Sequence, residues 1–313
     1  MRVVISCKSD NYTLMRGAEE IVYEKSELVR RYSRDPSKVK HYYKLSFSYE
    51  FKNQDDKVYF SYCYPYTFSK LVNFLRDYTV GPNRRPKQID YYGQSTFCKS
   101  LSGVDVPMVT ITSRIHSDPM EYNLVKLSDF EDADSKLSIP LYKKKKFIII
   151  TGRVHPGESN ASWMMQGFIK SLLGNSFAAK QLRKRVVFKI IPMLNVDGVI
   201  SGNYRTSMSG SDLNRRYLHP DPRLHPEICA VKDLVADLIY GKPKLEEDKN
   251  AEKEPELEGE DILTFIDMHG HSRKKNVFIY GPQYMISNEM YYRSRLIPKL
   301  LSEETAKFRY HSC

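Results

Sequence analysis

The chain has 313 residues, of which 41% are hydrophobic, 28% charged and 12% aromatic. This composition excludes a chain that is disordered throughout, a collagen and a coiled coil. The longest purely apolar runs are about the length of Phe147–Ile150, far short of the roughly 18 residues of a membrane-spanning helix, and residues 1–10 lack the apolar core of a signal peptide. We therefore predict a soluble, intracellular protein of about two domains.

The net charge of +11 is unevenly distributed. The segment 242–261 contains nine acidic and four basic residues, a local charge of −5, so that the remainder carries +16. Such an excess favours polyanionic partners, such as nucleic acid, anionic lipid or an acidic protein tail; a role in solubility alone is the alternative. The basic runs are scattered and nothing repeats like an RNA-binding motif, which supports the solubility alternative. We expect neither nucleic acid nor a membrane as the partner.

The cysteines argue against both a disulfide framework and a thiolate zinc site. There are five, an odd number, and they are widely scattered without a CxxC pair. We expect them to be small buried apolar residues. They are Cys7, Cys63, Cys98, Cys229 and Cys313.

The first sixty or so residues have the pattern of β structure. Two aromatic, alternating runs, Tyr42–Tyr49 and Lys57–Tyr62, are separated by the polar residues Asn53–Asp56, which predicts two strands and a turn. From Tyr66 onward the pattern becomes helical. We place a domain boundary near Tyr62–Pro65, which gives an N-terminal domain of residues 1–63.

The remainder alternates strands with helices, which predicts an α/β fold whose mostly parallel sheet is covered by helices on both faces. An acidic loop to Ser138 and the charged insert at 242–260 interrupt this pattern, and the insert is expected to be solvated or disordered. The predicted strands are Val106–Thr112, Phe147–Ile150 (running on to Val154), Val186–Leu194, Ile262–Met268 and Asn276–Tyr280. The predicted helices are a short one capped by Thr67 or Ser69, then Ser159–Leu173, Pro226–Tyr240 and Asn288–Glu304.

Polar residues with catalytic chemistry follow the predicted strands, where ligands bind in open α/β sheets. His155-Pro156-Gly157-Glu158 comes directly after one strand, and its histidine and carboxylate, three residues apart, can point to one cation. A surface turn with a carboxylate at a helix N-terminus is the alternative. His269 ends another strand, beside Asp267. Together, two histidines and a carboxylate suit zinc with an open fourth position.

A third polar segment is the glycine-rich loop after Val186–Leu194. It carries Asn195-Val196-Asp197-Gly198, Gly202-Asn203-Tyr204-Arg205 and Asp212-Leu213-Asn214-Arg215-Arg216. Arginines and an amide in one loop could bind a carboxylate and polarise a carbonyl. Taken alone, the segment is better explained as a solvated polar loop.

The order of these motifs resembles the zinc metallocarboxypeptidases. The chain runs HPGE, NVDGV, GNYR, SDLNRR, DMHGHS and NVFIYG, and within that family it most resembles the cytosolic carboxypeptidases that trim glutamates from tubulin. The resemblance covers about 62–313, and Tyr42–Tyr62 is similar to the small β-sandwich that precedes the catalytic domain there. It implies a carboxypeptidase domain at 64–313 with a mixed, mostly parallel sheet.

The resemblance also implies roles for individual residues. His155, Glu158 and His269 would bind one zinc ion, Arg205 would polarise the scissile carbonyl, and Asn214 and Arg215 would hold the terminal carboxylate of the substrate. The implied activity is removal of C-terminal glutamates from acidic protein tails, with tubulin or microtubules as partner. The implied location is the cytoplasm, with the cytoskeleton or cilium left open as the place of action.

One departure from the family concerns the general base. The family's catalytic glutamate lies on a late strand beyond the helix that corresponds to Asn288–Glu304, and this chain stops near where that strand would begin. Glu289, Glu303 and Glu304 lie in a helical pattern and do not match the motif. We therefore expect a C-terminally truncated chain. Whether part of the sandwich also precedes Met1 is left open.

Three functional hypotheses follow. The first is a zinc carboxypeptidase, and the second is an inactive zinc- and tubulin-tail-binding fragment without the general-base glutamate. A zinc acylase that shares HxxE and a distant histidine is a third, which the pair Asn214 and Arg215 argues against.

Overall fold

The structure is a computed structural model that describes residues 3–9, 11–32, 35–79, 92–113, 145–240, 262–271, 273–281 and 288–313. The chain forms two compact units, Met1–His269 and Gly270–Cys313. The first unit contains the sheets and both hydrophobic cores.

Five strands form the N-terminal β structure. The strands β1 (Val3–Cys7), β2 (Met15–Gly17) and β5 (Val58–Ser61) form an antiparallel sheet in the order β2-β1-β5, whereas β3 (Glu19–Tyr32) and β4 (Asp35–Ser48) pair as a long antiparallel ribbon. The two strands predicted from aromatic alternation are confirmed as β4 and β5. They do not pair with each other, because β5 pairs with β1, whose side chains are all buried.

The central sheet has five strands in the order β10-β8-β9-β7-β6. They are β6 (Tyr92–Lys99), β7 (Asp105–Ile111), β8 (Lys146–Gly152), β9 (Val186–Ile191) and β10 (Ile262–Met268). The strands β10, β8 and β9 are parallel, β7 pairs antiparallel with β9, and β6 pairs antiparallel with β7. All residues of β9 are buried, as expected for a strand covered on both faces. The predicted mixed, mostly parallel α/β sheet is confirmed.

Helices pack around this sheet. They are α1 (Phe68–Thr79), α2 (Ser159–Leu172), α3 (Phe177–Arg185), α4 (Val196–Ile200) and α5 (Pro226–Tyr240). The Thr67 hydroxyl accepts a hydrogen bond from the Lys70 amide at 3.1 Å, so the predicted cap of α1 is confirmed. Apolar side chains of α1, α2 and α5 join those of the sheet in the main core.

Some elements differ from the prediction. The strand β6 and the helix α3 were not predicted. Four of the nine residues of α3, FAAKQLRKR, are basic, and it buries only Ala179 and Arg183, so it lacks apolar periodicity. In the second unit α6 (Asn288–Glu304) is confirmed, but the strand expected at Asn276–Tyr280 is reduced to a single bridge from Val277 to Phe308.

The other predictions have mixed outcomes. The boundary after residue 63 stays a prediction, and the insert at 242–260 and most of the acidic loop lie outside the described residues. All five cysteines are unpaired thiols. The expected burial is confirmed for Cys7, while Cys313 is exposed and the other three are half-buried. Among the described residues, no helix is both long and apolar enough to cross a membrane.

Candidate active site

The two predicted metal-ligand motifs leave neighbouring parallel strands at the same edge of the sheet. Met268, the last residue of β10, lies opposite Gly152, the last residue of β8. His155 follows β8 by three residues, and His269 follows β10 directly. Because parallel strands end at a common edge, residues more than one hundred positions apart in sequence come together.

The three predicted ligands converge on one point. One carboxylate oxygen of Glu158, Oε1, lies 2.9 Å from His155 Nδ1, and the other, Oε2, lies 3.1 Å from His269 Nδ1. One ligand atom from each of the three residues lies within 4.8 Å of the other two. Two imidazole nitrogens and a carboxylate form a donor set that suits zinc and leaves a coordination position open. The described residues at the site therefore fit a zinc ion.

Carboxylates orient both histidine rings from the opposite side. His155 Nε2 lies 3.1 Å from Asp212 Oδ1, and His269 Nε2 lies 2.6 Å from Asp267 Oδ2. Thr151 in turn donates a hydrogen bond of 2.8 Å to Asp267 Oδ1. Such outer carboxylates fix the orientation and tautomer of metal-binding histidines. Sequence reasoning assigned no role to Asp212; the signal that could have found it is its position two residues before Asn214, because its side chain accepts the Asn214 amide at 3.0 Å.

The electrostatics of the site favour positive charge. Burial works against protonation of His269, but hydrogen bonds and charge from Asp267 and Glu158 raise its pKa to about 10. Burial would raise the pKa of Asp212, yet hydrogen bonds and charges from His155 and Arg205 hold that pKa below its usual range. The carboxylates thus create a position that a proton or a metal cation stabilises.

The predicted substrate-binding residues are placed differently from one another. Arg205 is half-exposed and donates through Nε to Asp212 Oδ2 at 2.8 Å. Asn214 Nδ2 lies 3.5 Å from His269 Nε2, which puts this amide beside the ligand cluster. The Arg215 side chain is exposed and donates to the carbonyl of Asn214 at 3.4 Å. Arg205 and Asn214 therefore contact residues of the site, Asp212 and His269, with their side chains. The Arg215 side chain instead contacts the backbone carbonyl of Asn214.

The turn between the first two ligands is held against the Arg205 loop. The Gly157 amide donates to the Tyr204 carbonyl at 2.7 Å, and Tyr62 donates its hydroxyl to the Gly157 carbonyl at 3.2 Å. A Cβ atom at Gly157 would lie 2.5 Å from Tyr204 Cδ2 and 2.6 Å from Tyr204 O. Only glycine allows this close approach.

The sequence is similar to known proteins. Residues 90–305 match the zinc carboxypeptidase family, peptidase M14. The chain is a member of this family. Mouse cytosolic carboxypeptidase 1 is 37% identical to it over 314 residues, covering 96% of this chain and 23% of the relative. Human cytosolic carboxypeptidase 4 is 34% identical, covering 96% and 25% respectively. The chain thus spans about a quarter of the length of these relatives.

Solved structures confirm the zinc carboxypeptidase-like fold. A metallo-carboxypeptidase from Burkholderia cenocepacia has a TM-score of 0.64 and 20% sequence identity, and the match covers 98% of this chain and 63% of that one. At this identity the match establishes the fold and nothing more. Family membership places the chain among the zinc carboxypeptidases by descent.

Proposed function

We propose that the chain binds one zinc ion through His155, Glu158 and His269 and acts on the C-terminus of acidic peptides. The convergence of both Nδ1 atoms on the two oxygens of Glu158 is the observation that carries the proposal. A zinc ion held by such ligands supplies Lewis-acid polarisation and activation of water.

Arg205 and Asn214 are proposed to bind the substrate beside this centre. Asp212 fixes the Arg205 guanidinium through Nε and also holds His155, so one carboxylate sets the spacing between them. An arginine placed in this way stabilises negative charge that develops on a peptide carbonyl oxygen, an effect worth about 3 kcal/mol in comparable sites. Asn214, together with the exposed Arg215, would pair with the terminal carboxylate and restrict the enzyme to chain ends.

The proposed substrates are glutamate-rich C-terminal tails, such as those of tubulin, which would place the protein in the cytoplasm. The charge of +16 outside the acidic segment 242–261 attracts acidic peptides. The relatives are named cytosolic carboxypeptidases, which supports both the exopeptidase activity and the location. Glutamate as the released residue is part of this proposal.

One observation favours the second candidate function, a zinc- and acidic-tail-binding protein without turnover. The three carboxylates in contact with the ligand histidines are Glu158, Asp212 and Asp267, and each is hydrogen bonded to a ring nitrogen. Both oxygens of each carboxylate already take part in hydrogen bonds within the site, so none of these three described side chains is placed to act as the base. Because a positioned base contributes about a hundredfold or more to such a reaction, we expect the 313-residue chain to bind acidic peptides weakly and to cleave them negligibly.

The metal site is tested by elemental analysis of the purified chain. We expect about one zinc per chain, because three ligand-type side chains already face one point. Substituting His269→Ala should remove the metal. His271→Ala is the matched control, since His271 accepts hydrogen bonds from the amides of Arg273 and Lys274 and lies outside the ligand cluster. Equal zinc in the wild type and His269→Ala would show that the ligands are wrongly assigned.

The substrate assignment is tested with peptides that end in glutamate, the same peptides amidated at the C-terminus, and peptides that end in leucine. Binding should require the free carboxylate, favour glutamate and weaken as salt rises, because the screening length falls from about 10 Å at 0.1 M to about 3 Å at 1 M. Equal binding of the amidated peptide or of the leucine peptide would contradict the proposal. Rapid release of glutamate by the 313-residue chain would exclude the non-catalytic alternative.

A further inference from the structure

Arg153 lies at a strained position directly before the first ligand motif. It follows the last residue of β8 and precedes Val154 and His155. Its backbone φ is +58°, in the left-handed region that residues other than Gly, Asn and Asp rarely adopt. The side chain is also buried, with 4% of the residue exposed. A buried arginine in a strained backbone persists only where surrounding contacts determine it.

Those contacts are with the turn that carries the ligands. Arg153 donates from Nε and Nη2 to the Pro156 carbonyl, at 2.9 and 2.7 Å. Pro156 is the residue after His155, and its carbonyl leads to Gly157 and Glu158. The guanidinium fork therefore holds the backbone midway between two of the three proposed ligands.

The remaining nitrogen connects this turn to the rest of the unit. Arg153 Nη1 donates to the Tyr66 carbonyl at 3.0 Å and to the Ser162 hydroxyl at 2.8 Å. Ser162 is a buried residue of α2, and Tyr66 lies just before α1. The turn is thereby fixed to α2, whose N-cap is the proposed ligand Glu158, and to the segment that leads into α1.

We propose that Arg153 is a positioning residue that holds the HPGE turn in the conformation that binds the metal. The inference rests on the metal site given under the proposed function. Proline cannot donate a backbone hydrogen bond, and glycine loses more conformational freedom than other residues when it is ordered. A Pro-Gly turn therefore gains its order from groups around it. Arg153 supplies two hydrogen bonds to one carbonyl of that turn, which a lysine cannot match because it lacks the planar fork.

The test is the metal affinity of Arg153→Lys, measured by competition with a chelator in the complete 313-residue chain. We expect affinity for zinc to fall about 10- to 100-fold, as for other groups that orient metal ligands. The visible absorption of the Co²⁺-substituted protein should also change, because the angle between the His155 and Glu158 donors changes. Ser162→Ala, which removes one partner of the guanidinium, should shift the affinity in the same direction by a smaller factor and serves as the main test if Arg153→Lys does not fold.

Arg183→Lys is the matched control. Arg183 is also a buried arginine, 1% exposed, and it also donates to backbone carbonyls, those of Leu172 and Gly174, away from the ligands. The Arg183→Lys substitution should lower the thermal midpoint without changing the metal affinity or the Co²⁺ spectrum. Unchanged affinity in both Arg153→Lys and Ser162→Ala, or an equal loss in Arg183→Lys, would overturn the positioning role. A parent chain that binds no metal would instead overturn the proposed function.

Discussion

At the scale of single residues, Gly157 shows how closely the ligand turn and the Arg205 loop approach each other. Its amide bonds to Tyr204, and a Cβ atom there would lie 2.5 Å from the Tyr204 ring. We expect Gly157→Ala to push the two loops apart, to lower the free energy of unfolding by about 2 kcal/mol, as overpacking does, and to weaken metal binding. Urea denaturation and zinc titration measure these effects.

Gly167→Ala is the control for this prediction. Gly167 lies within α2, and a Cβ atom there would meet no heavy atom within 4 Å. Alanine is favoured over glycine in a helix by about 1 kcal/mol, so this variant should be more stable and bind zinc normally. If both variants behave alike, the close approach of Gly157 to Tyr204 has no energetic importance.

The ligand residues could be predicted from the sequence, but the groups that hold them could not. His155, Glu158 and His269 are residue types that bind metals, and each follows a strand that the sequence predicts. Arg153 and Asp212 act through a backbone carbonyl and through the far nitrogen of a ring. Such contacts depend on loop conformation and on positive φ, which no hydrophobic period encodes.

At the scale of elements, the sequence predicts where strands and helices lie better than it predicts which strands pair with each other. The strands β8, β9 and β10 are rich in β-branched and other apolar residues, and α2 and α5 have helical periodicity, so local sequence suffices. In the N-terminal region the aromatic alternation locates β4 and β5 but does not say which strand each one pairs with. That choice depends on β1, because its side chains Val3, Ile5 and Cys7 form the small core.

The ribbon of β3 and β4 allows a prediction about cross-strand charge. Arg30 lies opposite Lys40, two like charges, whereas Glu24 lies opposite Lys44 with 2.9 Å between Lys44 Nζ and Glu24 Oε1. We expect Lys40→Glu to stabilise the chain by about half a kcal/mol, because opposite charges then face each other. The difference in thermal midpoint between Lys40→Glu and the wild type in low salt measures this stabilisation.

The matched substitution on the same strand, Lys44→Glu, should have the opposite sign, because it replaces an ion pair by two facing carboxylates. Both shifts should shrink in 1 M salt, where exposed charges are screened beyond about 3 Å. Shifts of the same sign in the two variants would show that the register of the ribbon in solution differs from the one described.

At the scale of the whole molecule, the charges are divided between a basic body and one acidic segment. The segment 242–261 carries −5 within a chain of +11, and its composition cannot bury enough apolar surface to offset the entropy lost on ordering. We expect deletion of residues 244–259, which lie outside the described residues, to leave the thermal midpoint nearly unchanged. A decrease of many degrees, seen by calorimetry, would mean that the segment packs against the body.

The two strands that carry the ligand histidines have different positions in the central sheet. Within the described part of the chain β8 lies between two strands, whereas β10 has a sheet neighbour on one side, and Leu263 and Phe265 on it are exposed. His155 therefore extends from an interior strand and His269 from a border strand, which opens more readily. A metal ion bound by both histidines would link the ends of β8 and β10. The amides that β10 donates to β8 should exchange with deuterium more slowly once zinc is added, while those between β9 and β7 should be far less affected, because a ligand that binds only the closed state stabilises it.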